Sequence, residues 1–410
     1  MSGPVAASDL EKGPTKKDKP SIAVLPFTNM SDDQEQEYFS DGITEDIITD
    51  LSKVAGLLVI ARNSSFAYKG KSIDVRTIGR ELGVRSVLEG SVRRAGNRVR
   101  ITAQLIDAVD GGHLWAERYD HNLEDIFAVQ DEVTHKIVAA LHIKLTPVDL
   151  ARREDPAKVN PEAQDYYYRG RALLFRFDPQ SMLDARQALN RAIAIDPGMA
   201  PAYATLALII GTEFINGWNG CERDTLEQGL ALSRKAIEVD PNSGDGYATL
   251  CISHLWRREH DAAIDAGRQS VALDPNLALG HGALGQALDF SGQHEEALAE
   301  LNAAFLLDPG HDLLLNAMGR AQFALGRYEE AEANFRRRLI HNPDTDVTRA
   351  YLAALCGETG RTEEARLLWR ELLQISPGFD PMRFRVTYPY KDPTWFNQFY
   401  GGLKKAGIIE

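Results

Sequence analysis

Gly280-His281-Gly282-Ala283-Leu284-Gly285 spells a glycine pattern that, between a strand and a helix, lets free backbone amides meet a pyrophosphate. Here it falls within a stretch whose apolar residues recur at helical spacing, so its amides are committed to a helix and no dinucleotide site is expected. Gly70-Lys71-Ser72 resembles the end of a phosphate loop, but Ser65 stands where the first glycine belongs, and without the full turn the amides need not converge on phosphate. The nearest histidine pairings, His254 with His260 and His281 with His294, lack the spacing of zinc ligands. Cys221, Cys251 and Cys356 are far apart and form no C-x-x-C pair, which indicates neither a disulfide framework nor a zinc cluster. No serine stands in a nucleophile elbow. The carboxylate pairs Glu295-Glu296, Glu329-Glu330 and Glu363-Glu364 recur at one position of a repeat, where negative charge suits a solvated helix start. These residues assemble into no reactive centre, and the sequence predicts a non-catalytic chain with no metal and no cofactor.

The elements that position these residues are phased by proline. Pro241, Pro275, Pro309, Pro343 and Pro377 stand 34 residues apart, preceded by Asp240, Asp274, Asp308, Asn342 and Ser376. Proline stops a helix, and an Asp, Asn or Ser beside it satisfies the turn. Twelve residues before each proline stands a small residue: Gly229, Ala263, Ala297, Ala331 and Ala365, with Ala185 before Pro197. Such residues let two helices approach closely. Tyr247 and Leu250, Leu284 and Gly285, Leu315, Met318 and Gly319, then Leu352 and Ala353 supply the stripe of the preceding helix. Two helices and two turns every 34 residues predict a stacked solenoid. The pattern resembles the tetratricopeptide repeat (TPR) family over residues 161–376, about six repeats. Between Pro197 and Pro241 the interval is 44 residues. The extra stretch carries Phe214 and Trp218, which either reach a partner or fold back on the solenoid.

Before the repeats, from about residue 20 to 147, strands alternate with helices. Residues 22–27 form a short apolar run suited to a buried strand, and Ile43, Ile47, Ile48, Leu51 and Val54 follow at helical spacing with Asp41 as a cap. Residues 57–61 read as a second strand, and Val75, Ile78 and Leu82 mark a short helix that Gly83 ends. Residues 87–92 and 99–105 flank a turn at Ala95-Gly96-Asn97, a hairpin. Residues 114–119 add a strand, and Ile126, Val129, Val133, Ile137 and Leu141 mark a closing helix. IAVLPF, YFSDGITEDIITDLSKV, VLEGSVRRAGNRVRITAQLID and HLWAERYD, in that order, resemble the TolB amino-terminal-like α/β domain that precedes TPR arrays in many bacterial proteins. The resemblance implies an α/β domain followed by an all-α superhelical solenoid. In that family the pair often forms the carboxy-terminal half of class III adenylate or guanylate cyclases, or follows a winged-helix DNA-binding domain. Only some twenty residues precede the pair, too few for either output domain, and no segment matches the cyclase catalytic motifs.

The TPR resemblance implies a concave ligand groove lined by the first helix of each repeat. Transferred position by position, it nominates Ile252, Leu255 and Trp256, then Gln286 and Phe290, then Asn316, Arg320 and Phe323 as partner-binding residues. Apolar anchors mixed with hydrogen-bonding groups suit a peptide groove, and an Asn and an Arg one turn apart suit a carboxylate or a backbone carbonyl. The expected partner is a protein or peptide, with a homo-oligomer through groove or cap also compatible. A formal charge of −13, from 46 Lys and Arg against 59 Asp and Glu, disfavours nucleic acid and anionic membrane. No apolar run approaches the ~18 residues that span a bilayer, no signal peptide opens the chain, and the cytoplasm is the expected address. Residues 1–19, rich in Gly, Pro, Ser and Lys, read as a disordered tail and 148–160 as a linker. Residues 377–410 read as a capping segment whose last helix carries Trp395, Phe396, Phe399 and Leu403 on one face. The function expected is a scaffold or regulatory adaptor. The alternatives are a regulatory part or remnant of a cyclase signalling system, and a small-molecule sensor in the first domain.

Overall fold

The computed structural model describes residues 20–31, 33, 36–54, 56–122, 126–141, 143, 160–218 and 223–410. The expected tail, nearly all of the expected linker, and Asn219, Gly220 and Cys221 of the insertion lie outside them. The chain is an α/β domain followed by an all-α TPR solenoid.

In the first domain the expected strand is shorter: β1 (Ser21–Val24) ends before Pro26, which has no N–H for a ladder, and a separate β2 (Thr28–Asn29) follows beyond the expected run. Then follow α1 (Glu37–Ser52), β3 (Leu58–Val59), α2 (Arg62–Phe66), α3 (Val75–Leu82), β4 (Ser86–Ala95), β5 (Arg98–Asp107), β6 (His113–Asn122) and α4 (Ile126–Ala140). The sheet order is β3-β1-β4-β5-β6, with β2 also on β4; β1, β2 and β3 pair in parallel, whereas β4, β5 and β6 form an antiparallel meander. The hairpin turns at Gly96-Asn97, with Gly96 left-handed at φ 59°. Alternate residues Val99, Ile101, Ala103 and Leu105 are buried beneath α1 and α4. Asp41 does not cap α1. The helix begins a turn earlier, and the Asp41 carboxylate accepts from Lys69 Nζ at 2.6 Å.

The solenoid pairs α5 (Pro161–Leu174) with α6 (Pro179–Ile195), α7 (Ala200–Asn216) with α8 (Arg223–Val239), α9 (Gly244–Trp256) with α10 (His260–Leu273), and α11 (Ala278–Phe290) with α12 (His294–Leu307). It continues with α13 (Leu313–Ala324) and α14 (Tyr328–His341), then α15 (Asp346–Glu358) and α16 (Thr362–Ile375), and ends in α17 (Met382–Thr387) and α18 (Pro393–Lys405). The phased small residues Ala263, Ala297, Ala331 and Ala365 are completely buried. On the partner helices, a β-carbon at Gly285 would lie 2.7 Å from the Leu301 side chain and one at Gly319 2.4 Å from the Phe335 ring. These contacts are why the register demands small residues.

The two domains share one core, which runs from β1 and α1 through α4 into α5, α6 and α7. A β-carbon at Gly42 of α1 would strike the Tyr168 ring of α5 at 2.3 Å. Beside it lies a buried polar cluster: Glu45 is bound by Arg62 and by Arg171 at 2.5 Å, and Asp46 accepts from the Tyr168 hydroxyl and from Gln130 at 3.1 Å. Burial pushes the Asp46 carboxyl up to about 6, with Arg171 and the Tyr168 hydrogen bond opposing the rise.

A second seam uses the Asp-Pro turns. Ser52 donates to Asp274 at 3.0 Å, and Asn276 donates to the carbonyls of Ser52 and Leu57. Ser64 and Asn63 donate to Asp308 at 2.6 and 2.9 Å, and Ala61 N–H donates to the Leu307 carbonyl at 2.7 Å. This last bond is why β3 stops two residues short of the expected Ala61: its backbone leaves the sheet for the solenoid.

Candidate functional site

The nominated residues sit on the first helices of three consecutive pairs: Ile252, Leu255 and Trp256 on α9, Gln286 and Phe290 on α11, Asn316, Arg320 and Phe323 on α13. The structure divides them. Leu255 and Phe323 are buried between helices, each in its own cluster of the solenoid core, and Ile252 packs against the first of these. Gln286 is half-buried. Trp256, Phe290 and Arg320 converge: the Trp256 and Phe290 rings lie 6.5 Å apart and the Arg320 guanidinium stands 4.4 Å over Phe290.

Asn316 and Arg320 are each only 7% exposed and are engaged within the chain. Arg320 donates to Asp289 at 3.0 Å, and the other oxygen of that carboxylate meets His294 Nδ1 at 2.9 Å. Asp289 occupies the position that Leu255 and Phe323 hold one repeat to either side, so Arg320 neutralises a charge placed in an apolar layer. Burial by itself disfavours the charged guanidinium, but Asp289 and the surrounding tyrosines hold the Arg320 pKa above its ordinary value. Asn316 accepts from the Thr348 hydroxyl at 3.1 Å, which in turn accepts from Arg338 at 3.0 Å.

The groove between these helices holds polypeptide. After α16 the chain crosses to the first-helix side. Phe384 of α17 packs on Phe379, Tyr351 and Phe399, and α18 lies along α15, so close that a β-carbon at Gly357 would strike the Gly402 carbonyl. Between α17 and α18 runs Tyr388-Pro389-Tyr390-Lys391. Tyr390 N–H donates to the Tyr388 carbonyl at 3.0 Å across Pro389, a three-residue turn that proline presets. The Tyr388 ring lies 6.1 Å from Trp256 and 5.7 Å from Phe290; the Tyr390 ring meets Phe290 edge-on at 5.1 Å, and its hydroxyl bonds that of Tyr351. Lys391 N–H donates to the Phe290 carbonyl at 2.9 Å.

Arg258 completes the site. Its guanidinium donates to the carbonyls of Val386 at 2.8 Å, Tyr388 at 2.9 Å and Tyr390 at 3.3 Å. Its backbone is left-handed, φ 64°, in the turn where Gly292, Gly326 and Gly360 stand at successive 34-residue steps with φ of 88°, 73° and 76°. Away from glycine that conformation costs about 1–2 kcal/mol.

The remaining motifs sit in structural places. The glycine pattern 280–285 lies within α11. His281 bridges Glu300 at 2.6 Å and the Pro275 carbonyl at 3.1 Å. Cys251 and Cys356 are buried thiols whose pKa burial raises to about 12 and about 11. Among the described residues no cluster of His, Cys, Asp or Glu has the makings of a metal site, and no helix is long and apolar enough to cross a membrane. Phe214 folds onto Trp256 at 6.1 Å and Trp218 onto Phe177 at 5.4 Å. Arg258, Asp289, Tyr388 and Tyr390 escaped the sequence reading. For Arg258 and Asp289 a signal existed, a residue out of character with its equivalents one period away.

Residues 17–136 match the model of the second domain of HilA/YgeH-like transcriptional regulators, and residues 291–356 match a tetratricopeptide repeat model. The second match accords with the TPR resemblance. The first stands where a TolB amino-terminal-like domain was expected, and that finer assignment is not shown. Among individual proteins, one from Rhizobium meliloti (strain 1021) named "Putative adenylate cyclase 3" is 60% identical over 253 residues, 62% of this chain and 43% of the relative. The match thus spans less than half of that relative's length. Among solved structures, a thermophilic TPR protein of Thermus thermophilus has 20% identity and a TM-score of 0.39 over 47% of this chain and 98% of its own. The APC/C hetero-tetramer Cut9-Hcn1 has 18% identity and a TM-score of 0.48 over 68% and 52%.

Proposed function

We propose that the chain is a non-catalytic scaffold or regulatory adaptor that binds a protein segment in the concave groove of α9, α11 and α13. The observation that carries this reading is the groove's present content. It holds a stretch of main chain through the carbonyl contacts of Arg258 and seats two aromatic side chains on Trp256 and Phe290. Main-chain hydrogen bonds with side-chain pockets are how peptide grooves combine affinity with selectivity. A photo-crosslinking residue at Gln286, half-buried on α11 one turn before Phe290, tests this in cells. The expected result is a defined cross-linked polypeptide that is absent when the probe sits at exposed Arg337 of α14. Equal yields at both sites would contradict it.

A second reading places the chain in a cyclase signalling system, as a regulatory part or remnant, and the name of the Rhizobium relative favours it. Purified chain given ATP or GTP with manganese should form no cyclic nucleotide. Turnover there would contradict the non-catalytic reading.

A further inference from the structure

Resting on the groove reading above, we propose that the groove selects a partner protein segment of the form aromatic-Pro-aromatic, folded in the same three-residue turn. Tyr388-Pro389-Tyr390 is then an internal ligand that the partner displaces.

Three observations converge. First, Arg258 is an arginine at a glycine position of the period, in the left-handed backbone its equivalents reach through glycine, and its side chain is directed to three main-chain carbonyls of the segment. A non-glycine held there against its preference points to a binding role. Carbonyl contacts are independent of side chains, so they serve a foreign segment as well as the chain's own. Second, the selective contacts are aromatic: Phe290 receives both tyrosine rings, and Trp256 and the Arg320 guanidinium flank Tyr388. Proline between the rings presets the turn, which lowers the entropy lost when a free segment binds. Third, the segment is bounded by solvent-exposed residues. Val386 is 76% exposed, and the Lys391–Asp261 ion pair at 2.9 Å is an exposed, salt-screened contact.

The anchors on both sides favour a partner over a second copy. Phe384 and Phe399 bury their rings against Tyr351 of the same chain, so lending the segment to another copy would pull one of them from its core. A partner with a free segment needs only residues 386–391 to lift away, since Arg258 holds the carbonyls of Val386, Tyr388 and Tyr390. Because the internal ligand is tethered, the wild-type groove is mostly occupied, and the apparent affinity for a free segment falls by the occupied fraction.

The test uses the full chain and a fluorescein-labelled peptide with the sequence of residues 384–394, read by anisotropy. The Tyr388→Ser/Tyr390→Ser chain should bind it at least tenfold more tightly than wild type. A peptide with both tyrosines replaced by alanine should not bind, and adding Arg258→Gly, the residue of the sister turns, should weaken binding at least fivefold without lowering the melting temperature. Absence of binding, indifference to the tyrosines, or indifference to Arg258→Gly would overturn the proposal. Should the double variant fail to fold, hydrogen exchange on wild type decides. Excess peptide should accelerate exchange at the amides of Tyr388, Tyr390 and Lys391 while α15 is unchanged; no acceleration overturns the proposal, as does a concentration-dependent dimer in light scattering. Peptide failure with cross-linking retained at Gln286 removes only the aromatic-proline class. Failure of both removes the groove reading as well.

Discussion

Gly319 leaves no room for a side chain: a β-carbon there would sit 2.4 Å from the Phe335 ring, on the far side of the α13–α14 contact. Gly319→Ala should therefore destabilise the chain by about 1–3 kcal/mol in denaturant unfolding, the usual range for overpacking. An unchanged midpoint would mean that these helices do not meet as closely as described. Asp46 makes a different prediction, because its carboxyl pKa is raised from 3.8 to about 6 in the folded chain. The native state then holds that proton more tightly than the unfolded state. Its contribution to stability is complete below pH 4 and is lost as pH rises through about 6. Asp46→Asn should flatten the pH dependence over this window, gaining on wild type between pH 4 and pH 7 by about 2 kcal/mol. A difference independent of pH would contradict the assignment. At this scale the sequence was uneven. Gly285 and Gly319 were legible as members of the first-helix stripe because a period fixed them, whereas the Arg258–Tyr388 contact joins residues 130 apart in sequence and belongs to no repeat.

The elements were the most legible level, since proline, small residue and apolar stripe all mark one period. What the period could not reveal is the use of its turns. Asp274 and Asp308 read as turn residues, and they also receive the first domain through Ser52, Ser64 and Asn63. Asn63→Ala with Ser64→Ala strips Asp308 of two donors, and a buried carboxylate left short of partners is expensive. The double variant should lose about 2–4 kcal/mol and gain proteolytic sensitivity between β3 and α3; an unaltered melt and digestion pattern would contradict this docking seam. The final helix shows the same limit. Its apolar face, Trp395, Phe396, Phe399 and Leu403, was visible; the last three are buried, and Trp395 is half-buried against the His294 ring at 4.3 Å. Its place along α15, beside a groove crossed by its own preceding residues, depended on tertiary contacts outside the repeat. Deleting residues from Pro389 onward should lower the melting temperature and raise binding of an apolar dye, because the face of α15 that Phe399 and Leu403 cover, Tyr351 included, and the Phe290 side of the groove are laid open. An unchanged melt would mean that this segment covers nothing.

For the whole molecule, an α/β domain clamped to one edge of a solenoid leaves a face of first helices, and on that face lies a stretch of the chain's own backbone. The groove, with its aromatic floor and carbonyl-binding arginine, is where we propose that recognition concentrates. The most direct measurement is hydrogen exchange across the full chain, alone and with the polypeptide recovered by cross-linking at Gln286. The account predicts new protection on α9, α11 and α13 together with faster exchange at Tyr388, Tyr390 and Lys391. Protection confined to the exposed face of the β4–β5–β6 meander or to the second helices, with the groove unaffected, would contradict it.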